Sequence, residues 1–158
     1  MSARETTRRP WIPLRIASVV SVLYAAGHSS GFPWMAPDGA ENAALIEHLK
    51  GYRFDMMGSS RTVWDFHIGF GLIVSLDLLV QAVLLWFLAD LAKGTGPAGA
   101  ARLRPLLATI AVAFLGNAIL VGRYFFVVPL LMAVITVVCL GWALLAASRV
   151  EEGVSAQP

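Results

Sequence analysis

From residue 62 to residue 92 the chain carries only three charged side chains, Asp65, Asp77 and Asp90. As one helix this run is about 46 Å long, more than the ~30 Å hydrocarbon core of a bilayer. It therefore reads as a membrane span whose first turns project into the interface. Asp77 stands within it with eleven residues before it back to Asp65 and twelve after it out to Asp90. If those two mark the interfaces, Asp77 lies about 18 Å from each. Lipid does not solvate a carboxyl at that depth, so a partner or a water-filled cavity must. The residue is thus a functional-site candidate and is expected to face the bundle interior.

Composition agrees with a membrane protein. The 158 residues are 58% hydrophobic and 14% charged, with a mean hydropathy of +0.71, beyond the usual range of soluble domains. The net charge of +2 does not point to nucleic acid, because Lys and Arg flank apolar runs and form no basic stripe interleaved with aromatics. The single cysteine, Cys139, excludes an internal disulfide, a Cys-based metal cluster and a Cys-x-x-Cys redox pair.

The expected fold is all-α: one four-span transmembrane bundle over residues 1–150, with spans at about 11–28, 62–92, 103–121 and 125–147, then a polar tail at 151–158. In the first run Pro13 suits a first helical turn, with Trp11 and Trp34 as interfacial anchors. A cleavable signal peptide competes for this run, since Arg8 and Arg9 precede a short apolar stretch and Ala25, Ala26 and Gly27 are small; an uncleaved helix is preferred. Of the twelve basic residues, Arg4, Arg8, Arg9, Arg15, Lys93, Arg102, Arg104 and Arg149 fall on one side. The positive-inside rule then makes this a multi-pass inner-membrane protein with both termini cytoplasmic. Residues 94–101 read as a flexible connector. On the outside, Asp38 and Glu41 have capping-box spacing and precede a short amphipathic helix with Leu45, Ile46, Leu49 and Tyr52 on one face.

This topology places ionisable groups from three spans at the outer end: His28, then Arg61, Asp65 and His67, then Arg123. Tyr24 and His28 share a face with Ser21, and Arg61 and Asp65 are four apart and able to pair. Gly69 and Gly71 are expected to admit a neighbouring helix. Further in, Gln81 lies in an arc with His67, Asp77 flanks that arc, and Asn117 sits about 9 Å inward of Arg123. One outward-facing depression around His28, Asp65, His67 and Arg123 is expected, with Asp77 at its floor. His28, Asp65, His67 and Asp77 are the candidate acids and bases; Tyr24, Arg61, Gln81, Asn117 and Arg123 are candidate ligand contacts. No His-x-x-x-His spacing, phosphate loop, Rossmann glycine pattern or Gly-x-Ser-x-Gly elbow is present, so neither metal nor cofactor is expected.

The run Tyr52-Arg-Phe-Asp-Met-Met-Gly-Ser-Ser-Arg-Thr-Val-Trp-Asp-Phe-His-Ile-Gly-Phe-Gly71, together with Ala26-Gly-His-Ser-Ser-Gly-Phe-Pro-Trp34, resembles a family of small four-span bacterial inner-membrane proteins. The layout is similar, at the level of fold, to DoxX-like proteins. The resemblance implies an inner-membrane location and draws attention to His28, Arg61, Asp65 and His67; it brings no catalytic residue with it. The expected function is binding of an apolar or lipid-like molecule from the bilayer, with or without acid/base chemistry, so that enzymatic activity is left open. Proton-coupled transport by a homo-oligomer carrying its proton on Asp77, and a non-catalytic accessory subunit, are the alternatives. Expected partners are the lipid bilayer, an apolar small molecule or lipid, and a second copy of the chain, with no nucleic acid.

Overall fold

The computed structural model describes residues 9–31, 37–94, 99 and 102–155, with 149–155 as backbone. The expected anchor Trp34, Arg4, Arg8, residues 95–98, 100 and 101 of the connector, and the end of the tail lie outside the described residues. The elements are α1 (Trp11–Gly31), α2 (Gly39–Gly51), β1 (Arg53–Met56), β2 (Ser59–Thr62), α3 (Val63–Gly94), α4 (Arg104–Tyr124) and α5 (Val127–Ser155). Three stretches are long and apolar enough to cross a membrane: Val63–Gly94, Arg104–Tyr124 and Val127–Ser148. The first expected span, α1, is a 21-residue helix but is not among them; Arg15, four serines and His28 dilute its hydropathy. The last helix runs on to Ser155, past the expected end at 147 and into the expected tail.

The chain falls into two compact units, Met1–Tyr24 with Leu79–Pro158, and Ala25–Leu78. The first has a core built from four helices. Leu14 and Ala17 of α1, Leu85, Leu88, Ala89 and Ala92 of α3, Leu107 and Phe114 of α4, and Cys139, Leu140 and Ala143 of α5 form one buried cluster. The buried positions recur at spacings of three and four, as in Ala82, Leu85, Ala89, Ala92 and again in Ala133, Thr136, Leu140, Ala143, Ala147, the period of helices packed nearly in line. Many are alanines, because small side chains let membrane helices approach closely. Thr136, buried among them, donates its hydroxyl to Met132 O at 3.0 Å, satisfying a group that lipid would leave orphaned. Between α4 and α5 the chain turns so tightly that a Cβ on Gly122 would lie 3.4 Å from Leu130 Cδ1.

Polar contacts join α1 to α3 inside this unit. Ser18 Oγ donates to Ala82 O at 2.7 Å. Arg15 pairs with Asp90, its guanidinium lying 3.4 Å from the Trp86 ring centroid, and Lys93 Nζ sits 5.3 Å from the ring of Trp11. Two cations stacked on two tryptophans, at the start of one helix and the end of the other, are what an aromatic belt at a membrane interface provides.

The second unit departs from an all-helical chain. Antiparallel β1 and β2 pair Arg53 with Thr62 and Met56 with Ser59, closed by Met57 and Gly58, both with positive φ (50° and 79°). That combination is the two-residue type I′ turn, whose twist suits a hairpin. Val63 N donates to Tyr52 O at 3.3 Å at the open end. The expected short helix is present as α2, which packs against β2, yet none of its residues is buried. Its expected capping box does not form: Asp38 makes no side-chain cap bond, and Asn42 Nδ2 instead donates to Asp38 O at 2.7 Å.

Candidate functional site

The start of α3 carries a capping box that reading the sequence missed. Asp65 N donates to Thr62 Oγ1 at 3.0 Å, and Thr62 N donates to Asp65 Oδ2 at 2.8 Å. Two orphan donors of the first turn are thereby satisfied by one Thr-x-x-Asp pair. The signal was there in Thr62-Val-Trp-Asp65, just ahead of the apolar run. Asp65 is therefore occupied with its own helix, and the expected Arg61–Asp65 ion pair is replaced by Arg61 Nη1 donating to Ser60 O at 3.0 Å.

Beside this cap an open groove of about 260 Å³ is lined by Arg61, Asp65, Phe66, Gly69, Phe70 and Ile73. Phe54 of β1 packs on Phe66 with ring centroids 5.3 Å apart, and Phe66 meets Phe70 at 6.1 Å, so aromatic rings from hairpin and helix form one row. Gly69, expected to admit a neighbouring helix, would offer a Cβ nothing within 4 Å; its missing side chain opens the groove instead. The groove is apolar along its length and charged at the end nearest the hairpin.

His28 belongs to a different group. Its Nδ1 lies 3.1 Å from Ser75 Oγ, Ser29 Oγ donates to the same oxygen at 3.0 Å, and Ser75 Oγ donates to Gly71 O at 3.2 Å. With its one proton given to Gly71, Ser75 accepts from both others, which puts the His28 proton on Nδ1. This network ties α1 to α3 within the second unit and satisfies a buried serine. Tyr24 is half-buried on α1, while Ser21 is buried with no hydrogen-bond partner for its hydroxyl among the described residues.

The remaining candidates do not line this groove. His67 is exposed and stacks against Trp64 at 5.3 Å, and Lys50 Nζ lies 5.7 Å from that tryptophan ring. Arg123 and Asn117, both exposed, belong to α4 in the other unit, with Arg123 over Tyr124 at 5.8 Å. Of the four residues expected around one depression, only Asp65 lines the groove. Asp77 is exposed, not turned inward. The reason is angular: the buried positions nearest it, Ser75, Leu78 and Ala82, fix the packed side of α3, and at 100° per residue Asp77 stands well off that arc. Gln81, one position before Ala82, is half-buried. Among the described residues no three His, Cys, Asp or Glu side chains are grouped to hold a metal ion.

No family model, curated protein or solved structure matches the chain.

Proposed function

We propose that this is a four-span inner-membrane protein whose groove at the head of α3 binds a lipid-like molecule with an anionic head. The observation that carries the reading is the lining of that groove, with Phe66, Phe70 and Ile73 below and Arg61 above. Counted back from Asp90 as the inner boundary, ~30 Å of hydrocarbon reaches residue 70 at ~1.5 Å per residue. Arg61 then falls in the headgroup zone while Phe70 and Ile73 meet the acyl chains. A single chain fits a shallow apolar channel of this kind, and a guanidinium suits a phosphate or carboxylate head.

The reading is one of binding, without acid/base turnover. Of the candidate acids and bases, Asp65 accepts the Thr62 amide and His28 bonds Ser75 in separate structural networks, and neither His67 nor Asp77 lines the groove. Purified protein in mixed bilayers is expected to retain phosphatidylglycerol over phosphatidylcholine by native mass spectrometry. Arg61→Gln should abolish that preference, and Phe70→Ala should weaken retention of both lipids about tenfold. Unchanged retention in Arg61→Gln defeats the proposal.

The fourth span in this reading is α1. Its low hydropathy comes from residues used in packing: Ala17, Ser18, Ser21 and Ala25 are all buried, the small-residue pattern that lets membrane helices approach. Arg15 at its start pairs with Asp90 at the end of α3, which supports one interface for both and, with it, a full crossing by α1. Both termini are then cytoplasmic. Single cysteines at Gly39 and Gly99, with Cys139 replaced by serine, test the orientation: reagent added outside intact cells should label position 39 and spare position 99, and the reverse pattern rejects it.

A further inference from the structure

The polar end of the groove holds two opposite charges that do not neutralise each other. Arg61 sits in β2 and Asp65 in the first turn of α3, and both line the groove. Arg61 is near enough for its charge to act on Asp65, yet no ion pair joins them among the described residues. Each is tied to backbone instead. Arg61 Nη1 donates to Ser60 O at 3.0 Å, and Asp65 Oδ2 accepts the Thr62 amide at 2.8 Å. Nη2 of the one and Oδ1 of the other take no part in those bonds. Both side chains are exposed, so a ligand in the groove can reach the remaining edge of each. Arg53, across the hairpin from Thr62, also acts on Asp65 but lies outside the groove lining.

We infer, resting on the lipid-binding reading above, that the groove selects an aminophospholipid, whose phosphate meets Arg61 while its primary ammonium donates to Asp65. A guanidinium alone takes any phosphate or carboxylate and does not choose among heads that carry one. Asp65 supplies the choice. A primary ammonium brings three N–H donors to a carboxylate that only accepts, and charge on both partners strengthens the bond. In a phosphoethanolamine head the phosphate and the ammonium are joined by two carbons, so one head can serve two neighbouring protein charges of opposite sign. A phosphoglycerol head ends in neutral hydroxyls and brings net negative charge up to Asp65. A phosphocholine head keeps its cation, but three methyl groups remove every N–H and hold the charge away from the carboxylate. Phe66, Phe70 and Ile73 meet the acyl chains of all three lipids alike, so they add affinity and no preference. Discrimination therefore comes from Asp65, by attraction of one head and repulsion of another.

The test is native mass spectrometry of the full chain released from bilayers that hold phosphatidylethanolamine and phosphatidylglycerol in equal amounts. Wild type is expected to retain the ethanolamine lipid about fivefold over the glycerol lipid, the effect of one exposed charge pair. Asp65→Asn keeps an acceptor for the Thr62 amide, and with it the cap, but loses the charge; it should bring the two lipids level. A second measurement needs no variant to fold: in wild type, retention should fall with each methyl group added to the nitrogen, from phosphatidylethanolamine through its mono- and dimethyl forms to phosphatidylcholine. Equal retention of the ethanolamine and glycerol lipids by wild type overturns the proposal, while an Arg61-dependent preference for phosphatidylglycerol over phosphatidylcholine would leave the lipid-binding reading standing. An ethanolamine preference that survives Asp65→Asn overturns it as well, and so does a methyl series without a trend. A glycerol-over-choline preference unchanged in Arg61→Gln defeats both the reading and the proposal built on it.

Discussion

Leu140→Ala is expected to lower the unfolding free energy by about 2 kcal/mol or more, while Val138→Ala costs less than about 0.5. The two residues are neighbours on α5 and similar in chemistry. Leu140 is fully buried in the four-helix core, and Val138 is 64% exposed. In a soluble protein a buried Leu→Ala change costs about 2–5 kcal/mol, part of it the transfer of apolar surface from water. Within a bilayer that part shrinks, since lipid tails are as apolar as the core. What remains is lost packing and the cavity left behind, which places the expected value at the low end of the range. Steric trapping of the two variants in lipid bicelles measures the difference. Equal losses would mean that the buried face of α5 has been assigned to the wrong side.

The second large effect is expected at the Arg15, Asp90 and Trp86 cluster. Arg15→Ala removes an ion pair and a stacked guanidinium together, for a loss of about 1–3 kcal/mol. Asp90 is half-exposed, its side chain at 54% against 24% for Arg15, so its own attraction is screened and modest. Asp90→Ala nevertheless strands a guanidinium whose Nη1 is buried without a partner among the described residues. Its cost should therefore approach that of Arg15→Ala. The double variant Arg15→Met with Asp90→Leu is expected to be close to neutral, because it leaves neither charge behind and preserves apolar volume. Such a cycle is strongly non-additive; additive losses would show that the two charges act independently.

How much of this was legible from residues alone differs between parts of the chain. The three apolar runs gave helices within about three residues of the expected limits, except at the end of α5, which runs on to Ser155, since hydropathy and length leave a membrane segment little freedom. Which side of α3 is packed was not legible. In a water-soluble helix the apolar side is the buried one, but here both sides are apolar, and the packed side differs only in being richer in small residues: Ser75, Ala82, Ala89 and Ala92 are buried beside Leu78, Leu85 and Leu88, while Phe70, Leu76 and Phe87 are exposed. The depth of Asp77 could be counted from the sequence and its direction could not. The hairpin was missed because strands of four residues rich in Arg, Asp and Ser resemble a polar loop, although Met57-Gly58 between them is a turn signal. The capping box was sought at Asp38 and found at Thr62, where an apolar run begins at once and the first turn has more to gain from satisfied donors. Of the residues expected at the rim, Asp65 lines the groove while His28 bonds Ser75 and His67 stacks on Trp64, because placing residues at one end of their helices says nothing of the direction in which each side chain points.

The unequal lengths of the helices carry a further consequence. At ~1.5 Å per residue the 32 residues of α3 extend about 48 Å and the 21 residues of α4 about 32 Å. One bilayer thickness can match α4 closely, but it must leave α3 overhanging by about three turns' worth of helix shared between its ends. In a membrane with longer acyl chains, some of that overhang is drawn into the hydrocarbon at a cost of only fractions of a kcal/mol per Å. The mouth of the groove is built on the overhang, so its depth in the lipid becomes a function of chain length. Membrane thickness thereby acts as a dial on this protein.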